Sequence, residues 1–251
     1  MTTFRNLAVA LAAGLLISTA ASQASAQSVP TYVTAAIADP QRPPKALALD
    51  AARKPAELLT LIGLKPGDKI LDFIPGPYWD RLFSDVVGQT GHVYLYYPVE
   101  YDPSVKIPAD TSALLPGVTN ASILSGPVNA FAAPETVDIV WMRQNYHDLY
   151  DKFMGPADVP AVNKAIYKAL KPGGLYVIID HSAKLGTGLA TTDTLHRIDP
   201  AVVKTDLAAA GFVFAGESNV LRNPADPLDQ VSYEPPIAGK TDQFAYVFRK
   251  P

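Results

Sequence analysis

Cysteine is absent from all 251 residues, which excludes disulfides, thiolate metal ligands, a cysteine nucleophile and a lipidated cysteine behind a leader. Histidine is scarce at 4 copies, so each one is worth following. Charge of one sign is missing too. The 21 Lys+Arg and 24 Asp+Glu are scattered without a block of either, which argues against nucleic acid as a partner. No Gly-x-Ser-x-Gly elbow exists, so a Ser-His-Asp hydrolase has no nucleophile to rest on. A long apolar run occurs once, over residues 7–17, and it is short for a membrane span.

What is present begins with that run. Arg5 precedes it and Ala24-Ser25-Ala26 follows it, the pattern of a secretory leader over 1–26 cleaved before Gln27. Export to a bacterial periplasm is the expectation, with no membrane span left after cleavage. Residues 27–45 carry Pro30, Pro40, Pro43 and Pro44 and read as an extended arm. Residues 46–251 suffice for one α/β domain with a substantial core.

The domain is organised around 66–88. A Pro66-Gly67 turn leads into the apolar strand 69–73, which ends at Asp72-Phe73 before the loop Ile74-Pro75-Gly76-Pro77. An amphipathic helix over 78–87 follows, with Leu82, Phe83, Val86 and Val87 on one side. Strand, tight loop, helix presents helix-terminal amides to a polar or anionic ligand. Before it, 50–62 reads as one helix stopped by Gly63. After it, strands are expected at 92–98, 121–124, 137–141 and 175–180, and helices at 159–170 and 200–210. Residues 171–174 read as a helix-ending turn, 103–122 as a proline-broken stretch with one short helix. A closing antiparallel pair is expected at 212–218 and 243–249. The proline-rich connection 219–242 is long enough to be a lid, a binding loop or a disordered segment.

The stretch 70–78 resembles motif I of the class I S-adenosylmethionine (SAM) dependent methyltransferases, whose first strand ends in Asp/Glu-x-Gly-x-Gly-x-Gly. Ile74 stands at the first glycine, Gly76 matches the second and Tyr78 replaces the third. Leu170-Lys171-Pro172-Gly173-Gly174 before an apolar strand is better preserved. The resemblance runs from about Ala46 to Lys250. It is closest to exported, predicted methyltransferases marked by Ala52-Arg53-Lys54-Pro55, Asn145-Tyr146-His147-Asp148, the run 193–199 and the run 239–243. It implies a Rossmann-like, seven-stranded, mostly parallel sheet with helices on both faces and a C-terminal antiparallel pair. It also implies methyl transfer from SAM to a small-molecule or protein acceptor.

Under that resemblance Asp72, Gly76, Tyr78, Tyr97 and Arg143 fall at cofactor positions. Tyr97 stands where the family places an acid that grips the ribose, with Glu100 or Asp102 as a substitute only if the loop folds back. His147, with Asp148 and Asn145 beside it, falls where an acceptor base or positioning residue belongs; a neutral imidazole suits that proton transfer. His181, His196, Arg197 and Arg222 complete a polar set for the substrate. Each has a plainer role as well. Asp72 suits a helix cap, His147 a loop carbonyl partner, and Arg222 a salt bridge that ties down the 219–242 loop. Two rival functions stay open: a binding or scaffold protein on this fold, and a metal enzyme. The second would use His147, His181 and His196 with Asp148, Asp180 or Asp199, in spacings that match no established ligand motif.

Overall fold

A computed structural model of the chain describes residues 28–101, 107, 110–155 and 157–251. The leader and its cleavage site lie outside the described residues. In chain order the helices are α1 (Thr31–Ile37), α2 (Pro44–Leu47), α3 (Asp50–Arg53), α4 (Pro55–Ile62), α5 (Pro77–Val87), α6 (Val159–Ala169), α7 (Thr192–Leu195) and α8 (Pro200–Ala209). The strands are β1 (Lys69–Phe73), β2 (His92–Pro98), β3 (Ala121–Gly126), β4 (Val137–Arg143), β5 (Leu170–His181), β6 (Val213–Ser218) and β7 (Gln243–Arg249). They form one sheet in the order β3-β2-β1-β4-β5-β7-β6, parallel through β5, with β7 antiparallel to both β5 and β6. This is the architecture that the β-α alternation predicts.

Strand alternation divides the core into two layers. Leu71, Phe73, Tyr96, Val140, Met142 and Ile178 face one way and meet α6 and α8 through Val162, Ile166, Val203 and Leu207. Ile70, Val93, Leu95, Ile139, Trp141 and Val177 face the other way and meet α1, α4 and α5. Each such side chain stabilises the fold by about 1.5–3 kcal/mol on burial. The period of two also decides the site. Asp72 shares its side of the sheet with Ile70, so it points toward the layer that contains α5.

Three expectations need correction. The segment 27–45 is not an extended arm: α1 buries Val33 and Ala36 in the α4–α5 layer, so the folded domain begins before Ala46. Buried Arg42 then ties this region to α3 with paired bonds to Asp50 of 2.6 and 2.9 Å. The helix expected over 50–62 is two helices. Pro55 disfavours helical geometry at the residue before it, and Lys54 turns left-handed at φ 51°. The turn at 171–174 lies inside β5, where the register jumps from Val137↔Leu170 to Ile139↔Leu175. Gly174 is required there, since a Cβ would stand 2.9 Å from the Lys171 carbonyl oxygen and 3.0 Å from that of Asp138. The 103–122 stretch, in its described part, holds a short 3₁₀ turn at Thr111–Ala113.

The 219–242 connection has no helix or strand, yet it is packed. Leu221, Asp226, Ser232, Ile237, Thr241 and Asp242 are all buried. No helix among the described residues is long and apolar enough to cross a membrane.

Candidate functional site

Adjacent strands β1, β4 and β5 end at one edge of the sheet, and their last residues line a cavity of about 570 Å³. Ligands gather at this carboxyl edge in open α/β sheets. The loop after β1 contributes Ile74, Pro75 and Gly76, and the loop after β4 contributes Arg143, Gln144, Asn145, His147 and Asp148. His181 ends β5. Arg53, His196, Ser232 and Tyr233 close the remaining walls.

The backbone turns sharply at both loops. Ile74 and Gln144 are left-handed, at φ 65° and 62°. For a β-branched residue this conformation costs on the order of 1–3 kcal/mol. Ile74 holds it because its side chain is buried beside Phe73 and Tyr96 and its N–H bonds the Tyr96 carbonyl oxygen at 2.9 Å. The glycine-like geometry therefore survives where the glycine does not. Gly76 is the reverse case. Its φ is −143°, and a Cβ there would meet nothing within 4 Å, so the fold itself does not require glycine at that position.

Below this loop Asp72 meets Asp80 of α5, and both are buried. Burial pushes Asp72 up to about 7, against its bonds to Asp80 and the Gly76 backbone. Burial and the Asp72 charge push Asp80 well above the ordinary range. A buried carboxyl pair of this kind is expected to keep one proton rather than ionise twice. Tyr97 lies near this pair, and burial and the two acids raise its hydroxyl, but it does not line the cavity. Glu100 does not replace it there, since its carboxylate accepts the Val128 N–H at 3.0 Å.

His147 is the most constrained group. Its Nδ1 lies 2.8 Å from Asp180 Oδ1 and its N–H donates to Asp180 Oδ2 at 2.9 Å. Its Nε2 stands 3.1 Å from Asp148 Oδ1 and 3.3 Å from His196 Nδ1. Burial alone would lower this imidazole, but the carboxylates of Asp180 and Asp148 overcome it and raise it well above its usual range. Asp148 goes the other way: burial opposes its charge, yet bonds from His147, His196 and Asn145 hold it below the usual range. Asn145 donates to Asp148 Oδ2 at 2.8 Å and to the Tyr101 hydroxyl at 3.1 Å. His181 joins the wall and not the cluster. Its Nδ1 pairs with Thr241 Oγ1 at 2.7 Å, and burial lowers it to about 3.

Arg143 is half-buried at the cavity wall with its buried Nε unpartnered, and its Nη1 donates to Gln144 Oε1 at 2.6 Å. Burial and the neighbouring Arg53 push it down to about 9, against nearby Asp72 and Asp180.

Besides Tyr97, three of the expected site residues lie elsewhere. Tyr78 turns away to donate to Asp50 Oδ1 at 2.6 Å, with the Arg53 guanidinium 4.4 Å from its ring centroid, and lines a separate cavity of about 500 Å³. Arg197 is fully buried and grips Asp226 at 2.8 Å, because the 219–242 loop needs a cation inside it. Arg222 pairs with Asp242 at 2.8 Å beside that loop, which is the plainer role foreseen for it. Arg53, Asp80 and Asp151 enter the site region without having been singled out. Asp151 carried a signal, four residues beyond His147, and Arg53 sits in the Ala-Arg-Lys-Pro run.

No family model and no curated protein matches this chain. Solved structures do match. A SAM-dependent methyltransferase from Aquifex aeolicus aligns at TM-score 0.54 and 21% identity over 83% of this chain and 94% of its own. One from Mesorhizobium loti aligns at 0.55 and 17% over 80% and 99%. The [4+2]-cyclase SpnF aligns at 0.56 and 16%, covering 80% of each chain. The fold is thus that of the class I SAM-dependent methyltransferases.

Tyr97, which the resemblance puts at the ribose position, does not line the cavity, and Asp72 lies against Asp80. Two guanidiniums, Arg53 and Arg143, line the cavity that would receive a cationic sulfonium.

Proposed function

We propose that this chain is an enzyme of the methyltransferase fold that acts on a small anionic molecule held at the carboxyl edge of its sheet. The observation that carries this reading is Arg143: a half-buried guanidinium near Arg53, with its buried Nε–H unpartnered, at the wall of a polar cavity. A partly desolvated cation and a buried unmade bond are both costly, and a carboxylate or phosphate would relieve them together. The same cavity presents His147 and Asp148, so an anchored molecule would lie within reach of groups able to exchange protons. The fold does not prescribe methyl transfer, since one structure that shares it is named a cyclase.

Methyl transfer from SAM is the second reading. It is favoured by the fold, and by Asp72 and Gly76 opening onto the cavity that holds His147. Calorimetric titration of the purified protein with SAM, and separately with succinate, citrate and pyrophosphate, distinguishes the two. We expect micromolar-to-millimolar binding of at least one anion. Arg143→Met should weaken it by about 1.5–3 kcal/mol, the worth of a charged hydrogen bond. Micromolar SAM binding lost in Asp72→Ala, with anions unbound, would transfer the argument to methyl transfer. Periplasmic export belongs to the same proposal and is checked by N-terminal sequencing of the secreted protein, expected to start at Gln27.

A further inference from the structure

We infer that His147, Asp148, Asp151 and His196 form a binding site for a divalent transition ion, zinc foremost, opening onto the cavity. Their ligand atoms all lie within 4.8 Å of one another. His147 Nε2 is 3.1 Å from Asp148 Oδ1 and 3.3 Å from His196 Nδ1. His196 Nδ1 is 3.6 Å from Asp148 Oδ1 and 3.7 Å from Asp151 Oδ2. Four ligands placed tetrahedrally at zinc distances stand about 3.3 Å apart. Small inward movements would bring these atoms to that geometry.

A second observation points to a cation. Asp151 is 1% exposed and neither of its carboxylate oxygens has a hydrogen-bond partner. The Thr192 hydroxyl lies close enough to favour the charged carboxylate, though it donates to the Leu189 carbonyl oxygen at 3.3 Å. An ionised carboxylate without a donor is among the costliest groups to bury. A metal ion among these four side chains supplies the missing positive charge.

The supporting groups match what metal ligands need. Asp180 holds His147 Nδ1 at 2.8 Å, which leaves Nε2 as the ligating nitrogen. Asn145 holds the second oxygen of Asp148 at 2.8 Å, leaving Oδ1 toward the cluster. His196 reaches the cluster from the end of α7 through a left-handed backbone, φ 49°. Two imidazoles and two carboxylates suit zinc, iron or manganese, and the set carries the charge to neutralise a divalent ion. His147, Asp148 and His196 also line the cavity, so the ion would face the bound molecule and act on it as a Lewis acid. His181, bonded to Thr241, is not a ligand.

The test reads metal affinity, so it stands apart from any assay of substrate or SAM. The full chain, stripped with a chelator, is titrated with zinc against a chromophoric competitor and with cobalt(II) by visible absorption. The expected result is one equivalent bound more tightly than about 1 μM, with the intense cobalt bands of a four-coordinate site. Asp151→Asn and His196→Ala should each weaken zinc at least about 100-fold, and Asp180→Asn about 10–100-fold. Thermal unfolding separates this from misfolding. Stripped Asp151→Asn should melt no lower than stripped wild type, because it no longer buries a bare carboxylate, and zinc should raise only the wild type. Zinc bound more weakly than about 0.1 mM, or bound equally by Asp151→Asn, would overturn the site.

Discussion

Arg197→Met is expected to cost about 3–5 kcal/mol of folding stability, because it strands a buried carboxylate. Asp226 receives Arg197 Nη1 at 2.8 Å and Nη2 at 3.2 Å, and both side chains are fully buried. The same guanidinium donates to the carbonyl oxygens of Ser182 at 3.0 Å and Gln230 at 2.8 Å. Asp226 in turn accepts the N–H of Asp242 at 2.6 Å and of Leu228 at 3.0 Å. One ion pair thus joins the end of β5 to both halves of the 219–242 connection. Methionine preserves much of the volume and removes every donor. Urea unfolding measures the loss, and the double variant Arg197→Met/Asp226→Leu should lose less than the two single changes summed. Since the loop carries Tyr233, whose ring centroid lies 4.9 Å from that of His196, the single variant should also speed hydrogen exchange at 230–234. A loss below about 1 kcal/mol would mean that the loop is held by its apolar contacts instead.

Much of this fold was legible because it is written in local pattern. The strands 69–73, 92–98 and 243–249 are apolar runs between turn signals, and the structure places them at those bounds. The seven-stranded order follows from β-α alternation once the closing pair is seen. The failures are equally physical. Val33 and Ala36 are too few to outweigh four prolines in a sequence reading, yet three residues apart they share a helix face and meet a core built from elsewhere. Pro55 was a break signal passed over within an otherwise helical spacing.

The site divides along the same line. His147 and Asp148 could be placed because strand β4 must end near them. Strand ends bring Asp72, Arg143 and His181 to the same cavity. Arg197 was misplaced because sequence does not say whether an arginine in a polar run faces solvent, ligand or a buried acid; here Asp226, 29 residues away, decides it. Asp151 was missed because its meaning depends on His196, which only the packing of α7 on the turn at 147–150 brings near.

The second large effect concerns pH and the Asp72–Asp80 pair. Asp72 is held up to about 7 by burial, while in the unfolded chain it titrates near its ordinary value of 3.8. Below that ordinary value both states hold the proton, and the pair costs the fold nothing. As pH rises from about 4 to 7 the unfolded chain releases a proton that the folded chain keeps, so the unfolded chain binds fewer protons and stability falls. By about pH 7 the part due to Asp72 is lost, on the order of 4 kcal/mol, and Asp80, held well above its ordinary value, carries the loss to higher pH. Asp80→Asn removes one acid and supplies an amide that can donate to Asp72. Its unfolding free energy should therefore exceed that of the wild type by a margin that grows from pH 5 to pH 8. Other titrating groups cancel in the difference, so denaturant unfolding of both proteins at four pH values suffices. A margin that is flat or negative across that range would show that no proton is shared. The same substitution bears on function. In Asp80→Asn an amide donor beside Asp72 would favour its charged form beneath the Gly76 loop, where the resemblance places the cofactor contact, although the burial that raises Asp72 stays. SAM affinity that rises in Asp80→Asn would identify this shared proton as what separates the site from an ordinary methyltransferase pocket. Unchanged affinity would show that the charge on Asp72 does not govern SAM binding.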